Sequence, residues 1–565
     1  MTLFGRFSNA PSNTQPRTNA FNGTTAIAYD NNTLTLGSTQ MFSPAINNDL
    51  RVNWSRSRST SIQDLDDFGG ATVPPDSLLF PFAPRESALL QFLINGGQSI
   101  IVGTGTENIQ RQINIVDSLF IGLGAHQLKI GGDYRRLSPT NGPVTYQQQV
   151  NFSSGIGITG AGDAPAGSIL SGRATRVRIF NSITRFPLFM NLSLFAQDTW
   201  KANRRLTLTY GLRWEYNPPP TERTGNDPFT LTDLDNIANA QLAPRGTPLY
   251  RAAYNNFAPR FGIAYQLGQK QGRETIFRGG FGVFYDLGNS MVGNLAGLSG
   301  FPYVSTRTLT NVLYPLVDPA QAAPLPISFN PPHGAIQVPD PNLKSPYTYQ
   351  FSLAIEQSLG TAQTVTASYV GAVGRRLLVS SLSISNNPRF SAITVTRSVA
   401  TSDYDALQFQ FQRRLSKGLQ ALASYTWSRS VDSASADSTT GLDLSLGPSD
   451  FDIRHVLSSA ITYNIPRPRV RGLPGALLRN WSFDTIVAAR SASPVNIISG
   501  FENIDGVSII IRPNLITDVP FYLNDPTAPG GRVFNDAVPT AAQIAAAGCA
   551  PQSASTPAKA RSALH

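Results

Sequence analysis

From Leu206 to Tyr216 the chain alternates without a fault. Leu206, Leu208, Tyr210, Leu212, Trp214 and Tyr216 fall on one side, and Thr207, Thr209, Gly211, Arg213 and Glu215 on the other. Side chains of an extended strand point to opposite faces in turn, so this stretch reads as one strand with an apolar and a polar face. Ten steps of about 3.3 Å, tilted by about 40°, rise roughly 25 Å, the height of the apolar band of a membrane barrel. Soluble strands stop at about 5 to 6 residues. Trp214 and Tyr216 lie at one end, where a membrane strand meets the interface.

The same pattern recurs along the chain. Residues 1–30 are polar and rich in Asn, Ser and Thr, which reads as a loop or a frayed start. Thr33 to Gln40 and Asp49 to Arg56 read as strands, residues 58–110 mostly as Pro-containing loop, and Ile113 to Leu123 and Gln127 to Arg136 as strands again. Weaker alternation marks Val144 to Phe152 and Thr175 to Ile183. Ten clearer strands follow: 192–200, 206–216, 257–266, 275–285, 347–357, 364–372, 404–413, 419–429, 454–464 and 481–490. About 16 strands are readable in all. Residues 501–565 read as a loop-like tail without evident closing strands.

The connections constrain the fold more than any one strand. Short turns such as Lys201 to Arg205 and Ser416 to Gly418 alternate with long loops, 217–256 and 286–346 above all. All short turns therefore lie at one end of the strands and all long loops at the other, the asymmetry of an outer-membrane barrel with short periplasmic turns and long extracellular loops. A soluble sandwich or propeller predicts no such segregation. The expected class is all-β, a transmembrane antiparallel β-barrel spanning residues 31–500, with lipid as its first partner.

Charged residues are only 14% of the 565, and Gly (47) and Pro (41) are plentiful, as many strands and loops require. No run of 18 apolar residues exists, which excludes a helical span and leaves a barrel open. The net charge of +10 is spread along the whole chain, whereas nucleic-acid binding needs a basic patch or stripe. The single Cys549 forms neither an internal disulfide nor a cysteine zinc site. Met1 is followed by polar residues rather than a signal-peptide core, so an exported protein would need a leader outside this sequence.

Catalytic and metal motifs are not evident, and no enzyme, cofactor or metal site is expected. Gly155-Ile-Gly157-Ile-Thr-Gly160 fits the dinucleotide fingerprint in letters only. Ala161 to Gly167 follows, which does not open the helix that a pyrophosphate needs. His126, His333, His455 and His565 are isolated, without an i, i+4 partner and carboxylate, and read as surface or interface side chains. Asp64, Asp66 and Asp67, and Asp432, Asp437 and Asp443, lack EF-hand spacing and read as solvated loop acids.

Phe195-Ala-Gln-Asp-Thr-Trp200 with Leu206 to Tyr216 resembles the strand pair "FxQDxW…LTLxxGLRxE" of TonB-dependent outer-membrane receptors. Asn256-Phe-Ala-Pro-Arg-Phe-Gly-Ile-Ala-Tyr265, Arg278 to Asp286, Asp452-Ile-Arg-His455 and His126 to Gly132 extend the match over roughly residues 30–500. Together they look like the Oar-like subgroup, whose members often carry an N-terminal carboxypeptidase-regulatory-like domain. The resemblance implies a 22-stranded barrel, an N-terminal plug and import of scarce, large ligands driven by the TonB energy-coupling complex. Neither plug, TonB box nor regulatory-like domain is readable before residue 30, so the chain reads as a piece of such a receptor.

The leading expectation is TonB-dependent capture and uptake of an unknown extracellular ligand, with loops 217–256 and 286–346 setting specificity. A passive porin or surface adhesion barrel shares the same walls. A secreted soluble β-rich binding protein is the third reading.

Overall fold

The computed structural model describes residues 1–565 apart from 19, 95–98, 153–168, 170, 288–299, 384–386, 434, 436–445, 466–480, 496–499, 505–506, 512–519, 521 and 536–565. Its centre is one sheet of 24 strands. Fifteen of these succeed one another as an antiparallel meander that forms the wall. In chain order they are β1 (Thr2–Thr14), β2 (Gly23–Ser43), β3 (Ile46–Leu65), β4 (Glu107–Leu123), β5 (His126–Leu137), β6 (Pro187–Lys201), β7 (Leu206–Tyr216) and β8 (Asn256–Gly268). They continue as β9 (Thr275–Tyr285), β10 (Tyr347–Ser358), β11 (Gln363–Ser383), β12 (Ile393–Ser416), β13 (Leu419–Asp432), β14 (His455–Asn464) and β15 (Ser482–Arg490). Each pairs with the next in sequence order.

The predicted segregation of connections holds. Turns 44–45, 124–125, 202–205, 269–274, 359–362 and 417–418 lie at one end, and connections 66–106, 138–186, 217–255, 286–346 and 433–454 at the other. Lys417 and Gly418 take φ of 52° and 80°, the type I′ form whose twist matches the flanking strands.

Three sequence expectations are corrected. Residues 2–14 are strand rather than loop: they pair along their whole length with β2, and this pairing supplies what their polar composition does not. Pro11 is tolerated there because β1 pairs only with β2 among the described residues, which leaves its other side without a partner strand. The strands near Val144 to Phe152 and Thr175 to Ile183 exist, as Tyr146–Phe152 and Arg173–Ser182, but they leave the wall and pair with 88–94 and 304–313. In the tail, Gly500–Ile504 with Val507–Ile511 and Tyr522–Asn524 with Arg532–Phe534 form two hairpins apart from the main sheet.

The apolar cores lie at the long-loop end, among loop residues and the loop-end stretches of wall strands. One cluster gathers Leu90, Val150, Phe152, Val177, Ile179 and Leu316; a second gathers Leu231, Phe301, Ile336, Val338, Phe390, Ile393 and Val395. Wall residues of the apolar face stay open instead, including Leu212 (46% exposed) and Leu353 (52%). A sheet that turns its apolar face outward needs an apolar solvent, and lipid is one.

Candidate ligand-binding surfaces

The inner face of the wall is polar and cross-linked. Arg213 on β7 donates through Nε to Glu215 Oε1 at 3.0 Å and through Nη2 to Ser193 Oγ on β6 at 2.8 Å. Its Nη2 also reaches Asp133 Oδ2 on β5 at 3.3 Å. Alternation alone puts these side chains on one face, and the ladder register makes them neighbours. One row further from the turns, Asn191 Nδ2 donates to Asn217 Oδ1 at 2.9 Å.

Below this lattice the same face opens into a recess of about 500 Å³. Its floor is made of small residues, Gly211, Gly262, Gly280, Gly282, Ser352 and Ala372, from five successive strands β7 to β11. Arg260, Phe284, Gln350 and Tyr404 also line it, with the Arg260 guanidinium 4.4 Å from the Phe284 ring centre. A Cβ at Gly262 would meet nothing nearer than 3.7 Å, so that glycine leaves free volume.

At the long-loop end, residues 217–255 and 286–346 meet. The Arg251 N–H donates to the Pro341 carbonyl at 2.9 Å. A cleft of about 540 Å³ lies beside this link, walled by Tyr216, Pro218, Pro219, Leu231, Pro248, Tyr250, Arg251 and Pro341. Burial pushes the Tyr250 phenol up. Thr230 also lines the cleft and is 4% exposed, and its Oγ1 has no hydrogen-bond partner. Buried hydroxyls without a partner are uncommon and costly, which marks this one as available to a ligand or an ordered water.

The aspartate of the motif Phe195 to Trp200 has a structural task. Asp198 faces outward yet is 6% exposed. It is held by the Tyr210 hydroxyl at 2.8 Å and His126 Nδ1 at 2.6 Å, and the His126 ring stacks on Trp200 at 5.4 Å. The outward face is therefore not free of charge near the short turns, and an ionisable residue persists there by being enclosed.

The remaining histidines and acids separate. His333 lies between Phe301 and Phe390, at 4.6 and 5.2 Å, and burial lowers its pKa. His455 Nδ1 bonds the Tyr425 hydroxyl at 2.8 Å. Asp64 pairs with Arg85 and Asp66 with Arg17, at 2.8 and 2.7 Å; the hydrogen bond from Arg17 holds the Asp66 carboxyl below the usual range. Asp432 accepts from the Ser435 N–H at 2.6 Å. Among the described residues no three His, Cys, Asp or Glu side chains gather as a metal site. The segment Gly155 to Gly167, Asp437, Asp443, Cys549 and His565 lie outside the described residues.

Sequence reasoning anticipated the two loops but neither cleft nor recess. The recess had a readable signal, glycines on the polar parity of adjacent strands; the cleft had none, because it is closed by residues some 90 positions apart, Arg251 and Pro341.

A meander with bilayer-high strands, an apolar exterior and a polar interior defines an outer-membrane β-barrel. The chain belongs to the outer membrane beta barrel domain family, whose profile matches residues 1–557. No curated protein sequence matches it. Among solved structures it is similar to the outer membrane transporter YddB from Escherichia coli, with TM-score 0.50 and 11% identity over 86% of this chain and 58% of that one. It is also similar to the ferric-catecholate import receptor Fiu from E. coli K12, with TM-score 0.41, 12% identity, and coverage of 79% and 52%. The chain thus spans little more than half of the length of these transporters.

Proposed function

We propose that the chain is the barrel part of a TonB-dependent importer of the Oar-like kind, which captures a ligand at the loop end and passes it along the polar inner wall. The observation that carries this reading is the cleft at the Arg251–Pro341 link, where two long loops meet around an unpartnered buried Thr230 hydroxyl. The long loops pack on apolar cores of their own, which holds the cleft in shape. The motif resemblance and the YddB-like fold support the same reading. Lipid around the wall, the TonB complex and one extracellular ligand are its partners.

One measurement tests it. Cells displaying this barrel together with any plug encoded with it, with and without TonB, are offered a defined mixture of small nutrients. Depletion that requires TonB supports import; depletion indifferent to TonB refutes it.

A further inference from the structure

Several covered arginines of this protein answer to carboxylates. Arg213 has Asp133 and Glu215, Arg375 has Asp403, Arg85 has Asp64 and Asp76, and Arg397 has Asp340. Arg176 and Arg178 do not. They lie in the strand Arg173–Ser182 of the loop-end sheet, two positions apart and so on one face. The opposite face, with Val177 and Ile179, is fully buried in the apolar cluster.

The register surrounds the two cations with neutral groups only. Arg178 is flanked by Gln149 and Thr308, and Gln91 lies beyond Gln149; Arg176 is flanked by Asn151 and Thr310. No carboxylate among the described residues pairs with either guanidinium. Both Nε atoms are buried without a partner, as are Gln149 Oε1 and Asn151 Oδ1. The Gln149 amide nitrogen is already committed to Gln91 Oε1 at 3.1 Å. Among the described residues, Arg178 gains the Phe180 ring, 5.9 Å away. Burial and the neighbouring Arg176 charge hold the Arg178 guanidinium below its ordinary range.

Two half-buried like charges side by side, with no counterion among the described residues, are an unfavourable arrangement. Residues two apart on a strand stand about 7 Å from each other, and each guanidinium offers a planar fork to a carboxylate or phosphate. We propose that the polar face of this loop-end sheet binds a small ligand carrying two anionic groups about 7 Å apart, one on Arg176 and one on Arg178. Gln149 Oε1 and Asn151 Oδ1 accept hydrogen bonds from hydroxyl or amide groups of the same ligand. The site is separate from the Thr230 cleft and stands whether the barrel imports actively or passively.

The test is a ladder of carboxylates titrated calorimetrically into the full chain in nonionic detergent at low salt: acetate, malonate and adipate. Adipate, whose carboxylates span the two forks, should bind at least about tenfold more tightly than acetate, because the second contact is intramolecular. The double variant Arg176→Gln/Arg178→Gln should lose that advantage, and each single variant should reduce adipate to the acetate level. Equal affinity of acetate and adipate for the unaltered protein overturns the proposal without recourse to any variant. Undiminished adipate binding by the folded double variant also overturns it. Purified lipopolysaccharide as competitor separates the sources: displacement of adipate assigns the site to headgroup phosphates, and retention assigns it to a soluble dianion.

Discussion

Leu353 gives the sharpest test of the assignment of faces. It sits near the middle of β10, five residues from Ser358 and six from Tyr347, and it is 52% exposed on the outward side. Its neighbour Ser352 is exposed on the inward side, in the recess. Half of a strand of this length, tilted by about 40°, rises roughly 14 Å, which puts Leu353 near the bilayer midplane. Leu353→Arg should therefore destabilise insertion by about 2 to 4 kcal/mol, or about 30- to 900-fold in the folding equilibrium. Ser352→Arg, one residue away and facing water, should cost at most about 0.5 kcal/mol. The assay is reversible unfolding by guanidinium in lipid vesicles, followed by tryptophan fluorescence and heat-modifiable migration. Equal penalties at the two positions would refute the reasoning, since nothing but orientation distinguishes them.

Three further outcomes follow from the same geometry. Tyr210→Phe removes one donor to Asp198 and should lower the refolding yield, an effect that vanishes in an Asp198→Asn background; unequal penalties in the two backgrounds, measured as a double-mutant cycle, are the expected coupling. Burial depresses the His333 pKa, so the folded state prefers the neutral ring. The unfolded state takes up the proton first as pH falls below about 6.5, and stability is lost from there down to the folded pKa. Hydrogen exchange of residues 333–338, corrected for intrinsic rates, should accelerate between pH 7 and 5, and His333→Gln should flatten that dependence. Gly262→Leu should fill the recess, leaving stability within about 0.5 kcal/mol while lowering TonB-dependent depletion of the nutrient mixture; unchanged depletion would remove the recess from the transport path.

The wall was legible because lipid and lumen impose a period of two that survives in the letters. Leu206–Tyr216 and Thr275–Tyr285 are found with the bounds that alternation assigns them. Where strands outrun the bilayer the signal fades: Gln363–Ser383 extends well beyond Ala372, and Ile393–Ser416 begins well before Tyr404. Above the apolar band both faces of these strands meet protein or water, and alternation is no longer required. The stretch Thr2–Thr14 was illegible for a related reason, since its register with β2 rather than its own pattern makes it a strand.

The loop end defeats a sequence reading on different grounds. Its sheet joins 88–94 in parallel to 146–152, and 173–182 to 304–313 across more than a hundred residues. Parallel pairs need long crossovers and leave no turn to recognise. Its cores draw single residues from stretches broken by proline, as when Ile336 and Val338 pair in parallel with Ile393 and Val395. An alternating strand in such a place looks like one more piece of wall, which is how 146–152 and 173–182 read. What separates them physically is the company of their polar face. In the wall, Arg213 finds Asp133 and Glu215 across the ladder; in the loop-end sheet, Arg176 and Arg178 find only Gln, Asn and Thr. A strand whose charges are matched by nothing in its own sheet is arranged for something that arrives from outside, and the loop end is where an outer-membrane barrel meets its ligands.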